Sequence, residues 1–129
     1  MPKKKSLIKD TQDRLWEECK RITRKRYINE DGTWSCYTCG KNLDSPIKCQ
    51  TGHFIPKASG GALLKYNLDN LRPQCFRCNI DLSGNGAVFY DKLRQDKGQE
   101  YIDNLFKLKN QTTKAIDHYI QLLEEYKNL

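Results

Sequence analysis

The chain has 129 residues with 37% hydrophobic content and a mean hydropathy of −0.84, which fits one compact domain with helical extensions and a small core. It contains no run of 18 apolar residues, and no apolar stretch follows its basic start Met1–Asp10, which argues against a membrane span and against a secretory signal. The net charge of +7 is uneven: residues 1–29 hold ten Lys/Arg against four Asp/Glu, the electrostatic footprint of a polyanion partner.

Met1–Ser6 is expected to be disordered. From Leu7 to about Tyr27, residues Leu7, Leu15, Trp16, Cys19 and Ile22 recur at roughly helical spacing with Lys and Arg on the other face, predicting a helix. Asn29-Glu30-Asp31-Gly32 reads as a turn, with Asp31-Gly32 a hairpin signal. Thr33–Tyr37 then reads as a short strand. Between Cys36 and Asn85 the turn signals Cys39-Gly40, Asp44-Ser45-Pro46, Ser59-Gly60-Gly61 and Ser83-Gly84-Asn85 leave room only for short strands, around Gly52–Pro56 and Leu68–Pro73. The pattern turns helical near Cys75. Further helices are predicted over Ala87–Gln95, from Gln99 to about Leu108 after the break at Gly98, and over Thr113–Tyr126. In the last of these, Ala115, Ile116, Tyr119, Ile120, Leu123 and Tyr126 form an apolar stripe. The stripe is expected to pack on the central module or the first helix, with a dimer interface as the alternative. The chain thus divides into a basic arm and helix (1–32), a cysteine-bearing module (33–97) and a helical extension (98–129).

Cys36-Tyr37-Thr38-Cys39 and Cys75-Phe76-Arg77-Cys78 are two Cys-x-x-Cys pairs, and two intervening residues let both thiolates of a pair reach one tetrahedral Zn²⁺. A small core needs such a staple, and a structural site of this kind contributes ~10–16 kcal/mol of apparent binding free energy. A redox pair is the competing reading, but two matched pairs without a βαβ pattern argue for structural zinc in a reducing compartment. Cys49 reads as a buried thiol or an alternative ligand, and Cys19 as core.

Between the pairs stands His53, in Thr51-Gly52-His53-Phe54-Ile55-Pro56, followed by Asn70 and by Asn79 directly after the second pair. Hydrolysis of a phosphodiester needs a base to activate water, a metal to stabilise charge, and a means of holding the base in place. His53 suits the first role, Asn79 offers a hard oxygen to Mg²⁺ or Mn²⁺, and Asn70 could bond the backbone around His53. Zinc bound by four thiolates has no open position, so it staples the fold rather than catalysing. His118 reads as a surface residue.

These residues carry a resemblance. The stretch Cys36–Asn85 resembles HNH endonucleases, and among them the NinG or Rap family of phage recombination proteins. The likeness lies in Cys-Tyr-Thr-Cys, Gly52-His53-Phe54, Asn70-Leu71 through Gln74-Cys75, Cys78-Asn79 and Leu82-Ser83-Gly84-Asn85. It continues through Val88–Leu93 and more weakly into Tyr101–Leu105. The resemblance implies an α+β fold: a zinc-stapled ββα-metal (HNH, His-Me finger) module flanked by N- and C-terminal helices. It further implies cutting or nicking of branched DNA such as D-loops and Holliday junctions, in the cytoplasm of a bacterial host, alongside other recombination proteins. Carried over by position, His53 is the general base, Asn79 a ligand of the catalytic metal and Asn70 the central asparagine. Many HNH enzymes place Asp or His before the catalytic histidine as the second ligand, where this chain has Gly52. Gln50, Asp69 and Asp81 are the candidates to replace it.

On this reading Lys3–Lys5, Lys20, Arg21, Arg24, Lys25 and Arg26 contact phosphate, with Arg72 and Arg77 nearer the scissile bond. A symmetric junction cutter is expected to form a homodimer. The alternatives are a non-catalytic zinc-stabilised nucleic-acid-binding module and an adaptor for recombination proteins.

Overall fold

The computed structural model describes residues 4–109, 111 and 113–129, with side chains from Leu7 onward. Of the disorder expected over Met1–Ser6, Met1–Lys3 lie outside the described residues and Lys4–Ser6 are helical instead; the phosphate contacts expected of the Lys3–Lys5 side chains lie outside the description as well. Helix α1 spans Lys4–Tyr27, beginning three residues before Leu7 because a nucleated helix extends cheaply through polar residues. Strands β1 (Trp34–Ser35) and β2 (Asn42–Leu43) pair antiparallel, with Trp34 opposite Leu43. Their connection is the first Cys-x-x-Cys, so this hairpin turns at the cysteines and not at Asp31-Gly32. The Asn29–Gly32 turn instead joins α1 to β1. There the Gly32 amide donates to the Asn29 carbonyl (3.0 Å) and the Asn29 amide to that of Thr33 (2.7 Å).

Strands β3 (Gln50–His53) and β4 (Leu71–Gln74) form a second antiparallel pair, with Gln50 opposite Gln74 and His53 opposite Leu71. Both differ from the expected Gly52–Pro56 and Leu68–Pro73. The chain leaves β3 at Phe54, and residues 68–70 form a 3₁₀ turn in which the Asn67 side chain accepts from the Asp69 amide (2.9 Å). That local bond competes with strand pairing. Two short helices, α2 (Lys57–Gly60) and α3 (Ala62–Lys65), fill the connection. They are separated at Gly61, whose φ of +77° favours glycine. After β4 a π-helical turn covers Arg77–Asp81. Helices α4 (Gly86–Lys97), α5 (Gln99–Lys109) and α6 (Ala115–Tyr126) complete the chain.

Three small cores hold these elements. In the first, Leu15, Cys19 and Ile22 of α1 pack with Tyr119 and Tyr126 of α6 over Tyr66 and Leu71. The apolar stripe of α6 therefore lies on both α1 and the central module. In the second, Phe54, Ile55 and Leu64 meet Phe89 and Leu93 of α4 and Ile102 and Leu105 of α5. The third gathers Trp34, Leu43 and Cys49 around Cys36, Cys75 and Cys78. Segments 1–32, 33–97 and 98–129 thus share their cores. No helix of the described residues is long and apolar enough to cross a membrane. His118, expected on the surface, is half-buried.

Candidate functional site

The two Cys-x-x-Cys pairs converge. The sulfurs of Cys36, Cys39, Cys75 and Cys78 all lie within 4.8 Å of one another, and Cys39 Sγ sits 3.7 Å from Cys75 Sγ. A zinc tetrahedron with bonds of about 2.3 Å has edges of about 3.8 Å, so the four thiols are positioned to hold a metal ion. The first pair closes through Gly40, at φ +79°, whose amide donates to the Cys36 carbonyl (2.9 Å). In the second pair the Cys78 amide points at Cys75 Sγ (3.4 Å). Burial pushes the Cys36 thiol up, but amides of Cys39 and Cys75 and the Thr38 hydroxyl outweigh it and bring it down to about 6. Cys49 belongs to the core beside this cluster, not to the cluster itself. Burial raises it to about 11. Cys19 is fully buried and donates to the Tyr66 carbonyl (3.6 Å).

A polar chain joins the cluster to the second sheet. Gln74, fully buried at the end of β4, donates from Nε2 to Thr38 Oγ1 (3.1 Å) and to the Gly84 carbonyl (2.9 Å). The Thr38 hydroxyl, accepting that bond, directs its own proton at Cys36 Sγ, 3.3 Å away. Gly52 is explained by the same side chain, because a Cβ at position 52 would collide with the Gln74 carboxamide. The turn after the second pair folds back over the cluster. Ser83 and Asn85 both have left-handed φ (50° and 53°), the Gly84 amide donates to the Cys78 carbonyl (2.8 Å), and Asn85 Nδ2 reaches Cys78 Sγ (3.7 Å).

His53, the last residue of β3, lines a cleft of about 380 Å³. Its walls are Trp16 of α1, Thr51 of β3, Pro56 and Lys57, and the turn carrying Asn79, Ile80, Ser83 and Gly84. The His53 Nε2 lies 2.7 Å from the Lys65 carbonyl at the end of α3. A carbonyl only accepts, so Nε2 carries the proton and Nδ1 keeps the lone pair of the neutral ring. The imidazole stacks on the Trp16 indole, with centroids 5.3 Å apart and planes within 14°. Burial, reinforced by the nearby Lys57 and Lys65 charges and opposed by the Lys65 carbonyl, lowers its pKa to about 4. The ring is therefore neutral at physiological pH.

Asn70 is fully buried. Its Oδ1 accepts from the Ile55 amide (2.8 Å), and its Nδ2 donates to the carbonyls of Ile55 (2.9 Å) and Leu64 (3.2 Å). The carboxamide thereby acts as one more residue of β4, pairing the chain two positions beyond His53 and fixing the end of α3 that holds the ring. Asn79 shares the cleft with His53, and its Nδ2 donates to Gln50 Oε1 (2.8 Å). Of the three candidates for a second ligand, Gln50 alone touches Asn79. Asp69 lines a different cleft with Tyr101 and Asn104, and Asp81 is exposed outside the His53 cleft. The four cysteines are the one group of three or more His, Cys, Asp or Glu placed to hold a metal among the described residues.

The basic residues separate into distinct settings. Lys20 and Arg24 face a groove that adjoins the cleft and shares Trp16, Thr51 and Asn79 with it. Lys25, Arg26 and Arg77 are exposed. Arg21 is committed elsewhere: it bonds Glu18 (2.7 Å) and the carbonyls of Tyr126 and Leu129 (3.0 Å each), a cation at the C-terminal end of α6. Arg72, expected beside the scissile phosphate, is only 1% exposed. Its guanidinium donates to the Asp69 and Leu71 carbonyls and the Tyr101 hydroxyl and lies over the rings of Tyr27, Tyr37 and Tyr101. A phosphate cannot reach it in this conformation. Position 72 on β4 faces inward, and three aromatic faces replace its water.

Sequence reasoning missed two residues of the cleft. Trp16 counted only as an apolar position of a helix, and Lys57, whose Nζ lies 5.8 Å above the Trp16 ring, as nothing at all. No local motif marks either, since both meet His53 only through tertiary packing. The model of a family described as Bacteriophage Lambda NinG protein matches the chain over residues 1–129. No curated protein and no solved structure matches it.

Proposed function

The chain belongs to the family of the bacteriophage lambda NinG protein, and from that premise we propose that it is a metal-dependent DNA endonuclease of the HNH type, cutting branched DNA such as D-loops and Holliday junctions in recombination. The observation that carries this reading is His53. Its tautomer is fixed by the Lys65 carbonyl, its ring is held neutral by burial, and it opens on a cleft shared with Asn79. The order of β3 with His53, β4, and a helical turn with Asn79 supports a ββα-metal module, and the four cysteines support zinc as its staple.

In this mechanism Nδ1 of His53 takes a proton from water as the water oxygen forms a bond to phosphorus. The bond from phosphorus to the leaving strand oxygen breaks, and that oxygen takes a proton from solvent. Asn70 keeps the ring in place through Ile55 and Leu64. Asn79 and Gln50 are the residues that would hold Mg²⁺ or Mn²⁺, whose charge supplies stabilisation of the phosphate oxygens. The donor chemistry fits a hard cation in kind: these two side chains offer amide oxygens, and the buried Thr51 Oγ1 beside them has no protein partner. It supplies no carboxylate, so the substrate phosphate provides the negative charge such ions require.

The test is cleavage of labelled linear, single-stranded, looped and four-way DNAs in Mg²⁺ or Mn²⁺ by zinc-loaded wild type and His53→Ala. Cutting by wild type alone, strongest on branched DNA, is the expected result. If neither protein cuts while both bind with steep salt dependence, the nuclease reading fails and a non-catalytic nucleic-acid-binding module takes its place.

A further inference from the structure

The cleft of His53 does not end at Asn79. The adjoining groove that it meets at Trp16, Thr51 and Asn79 runs along Lys20 and Arg24 of α1 and reaches Ile47. Ile47 and Gln50 line a third groove as well, together with Phe76, Lys41 and Lys48. The three grooves share walls and form one track, with the imidazole at one end and Ile47 and Phe76 at the other.

Those two side chains are the unusual feature of the track. Ile47 is 88% exposed and Phe76 57% exposed, and neither belongs to a core. Phe76 follows the metal-positioned Cys75 directly, and Ile47 sits in the 3₁₀ turn Pro46–Lys48, so both project from a short, braced backbone. Cations stand around them. Lys48 is held 2.9 Å from Asp44 and Lys20 2.7 Å from Glu17, while Arg24 and Lys41 complete the walls. An apolar face bordered by cations suits a ligand that combines a flat π-surface with phosphate. Bases within a duplex hide their faces by stacking on each other, whereas an unpaired base offers its face freely.

We propose that Ile47 and Phe76 form a platform for an unpaired nucleobase, which seats a single-stranded segment in the track that leads to His53. This rests on the nucleic-acid reading above and adds the part of the substrate that the protein grips. It adds a grip on unpaired bases, such as those of a D-loop's displaced strand, with no base identity read.

The test is fluorescence anisotropy without added divalent ion, using a labelled duplex and the same duplex bearing a single-stranded tail. The proteins are wild type, the double variant Ile47→Ala/Phe76→Ala, and Phe76→Trp, each checked for zinc content and helical signal. Wild type is expected to prefer the tailed DNA. The double variant should lose about tenfold in affinity for the tailed DNA and keep its duplex affinity, and Phe76→Trp should keep the preference. An unchanged preference in the double variant overturns the platform, and so does an equal loss on both DNAs. Altered self-association in sedimentation with the preference intact also overturns it, identifying the patch as a protein interface. Wild type binding neither DNA would remove the nucleic-acid reading itself, whereas wild type that cuts and prefers tails, with variants that behave alike, removes the platform alone.

Discussion

A buried imidazole with one carbonyl partner has its tautomer decided before any substrate arrives. For His53 the cost appears in its protonation: the folded pKa is about 4 against an ordinary 6.5. As pH falls through that window the unfolded ring gains a proton that the folded ring refuses, so stability falls with it, by on the order of 3 kcal/mol at most. Above the window the ring is neutral in both states and the effect vanishes. Desolvation leads the shift, and Trp16 covers the ring face. Trp16→Ala should therefore move the His53 titration up toward its ordinary value, followed by NMR with His118→Gln to assign the two histidines. A His53 that titrates identically in both proteins would show that Trp16 does not control its hydration. Arg72 yields a second prediction at this scale. Arg72→Lys keeps the charge but loses the planar fork that serves two carbonyls, a hydroxyl and three rings. It should destabilise the protein to urea by about 1–3 kcal/mol while the salt dependence of DNA binding stays unchanged. Arg72→Gln, which removes the charge, should likewise leave the salt slope unchanged, and a slope reduced by about one would restore Arg72 to the phosphate.

Asn70 works on whole elements. Three hydrogen bonds from one buried carboxamide tie the chain leaving β3 to the end of α3, so the carbonyl of Lys65 and the ring of His53 are positioned by the same side chain. Asn70→Ala leaves the amide and carbonyl of Ile55 unpaired in the interior, while the Leu64 carbonyl keeps the Asn67 amide (3.3 Å), and should cost about 2–5 kcal/mol in urea unfolding. A loss below 1 kcal/mol would mean that water replaces the clamp. The same side chain explains why the strands were misplaced in the sequence reading. Alternation of apolar residues continues through Phe54 and Ile55 and suggests a strand to Pro56, but backbone pairing ends where the Phe54 amide meets the Asn70 carbonyl (2.9 Å), and Ile55 pairs with the Asn70 side chain instead. Helices α1, α4, α5 and α6 were legible because each sustains a 3.6-residue period over two or more turns. The four-residue helices α2 and α3 are too short to show one, and Ser59-Gly60-Gly61, the end of α2 and the break after it, reads as a turn. Asp31-Gly32 misled for a related reason: a hairpin needs a strand on both sides, and α1 occupies one of them.

Across the whole molecule, the residues that sequence placed at one site are those tied to the cysteine spacing: His53 between the pairs, Asn70 ahead of the second and Asn79 directly after it. Trp16 and Lys57 were not legible there, since their roles follow from how α1 lies across β3 and no spacing encodes a crossing of elements. Arg72 failed in the other direction, because a cation near a motif looks like a ligand contact until its burial is known. The cysteine cluster gathers the elements of the third core. It joins the β1–β2 hairpin to the turn after β4, and through Thr38 and Gln74 it braces the strand opposite β3. Half of the third core consists of thiols from that cluster, so without metal this core has little apolar surface to bury. One zinc per chain is accordingly expected by elemental analysis, retained in Cys49→Ser and lost in Cys36→Ser. Chelation should lower the melting temperature and abolish DNA binding while part of the far-ultraviolet helical signal persists, because α1 and α6 pack through a core that contains none of the ligands. If Cys49→Ser loses the metal and Cys36→Ser keeps it, the ligand set is wrong. If chelation leaves both melting and DNA binding intact, the cores cohere without zinc and the role of staple falls.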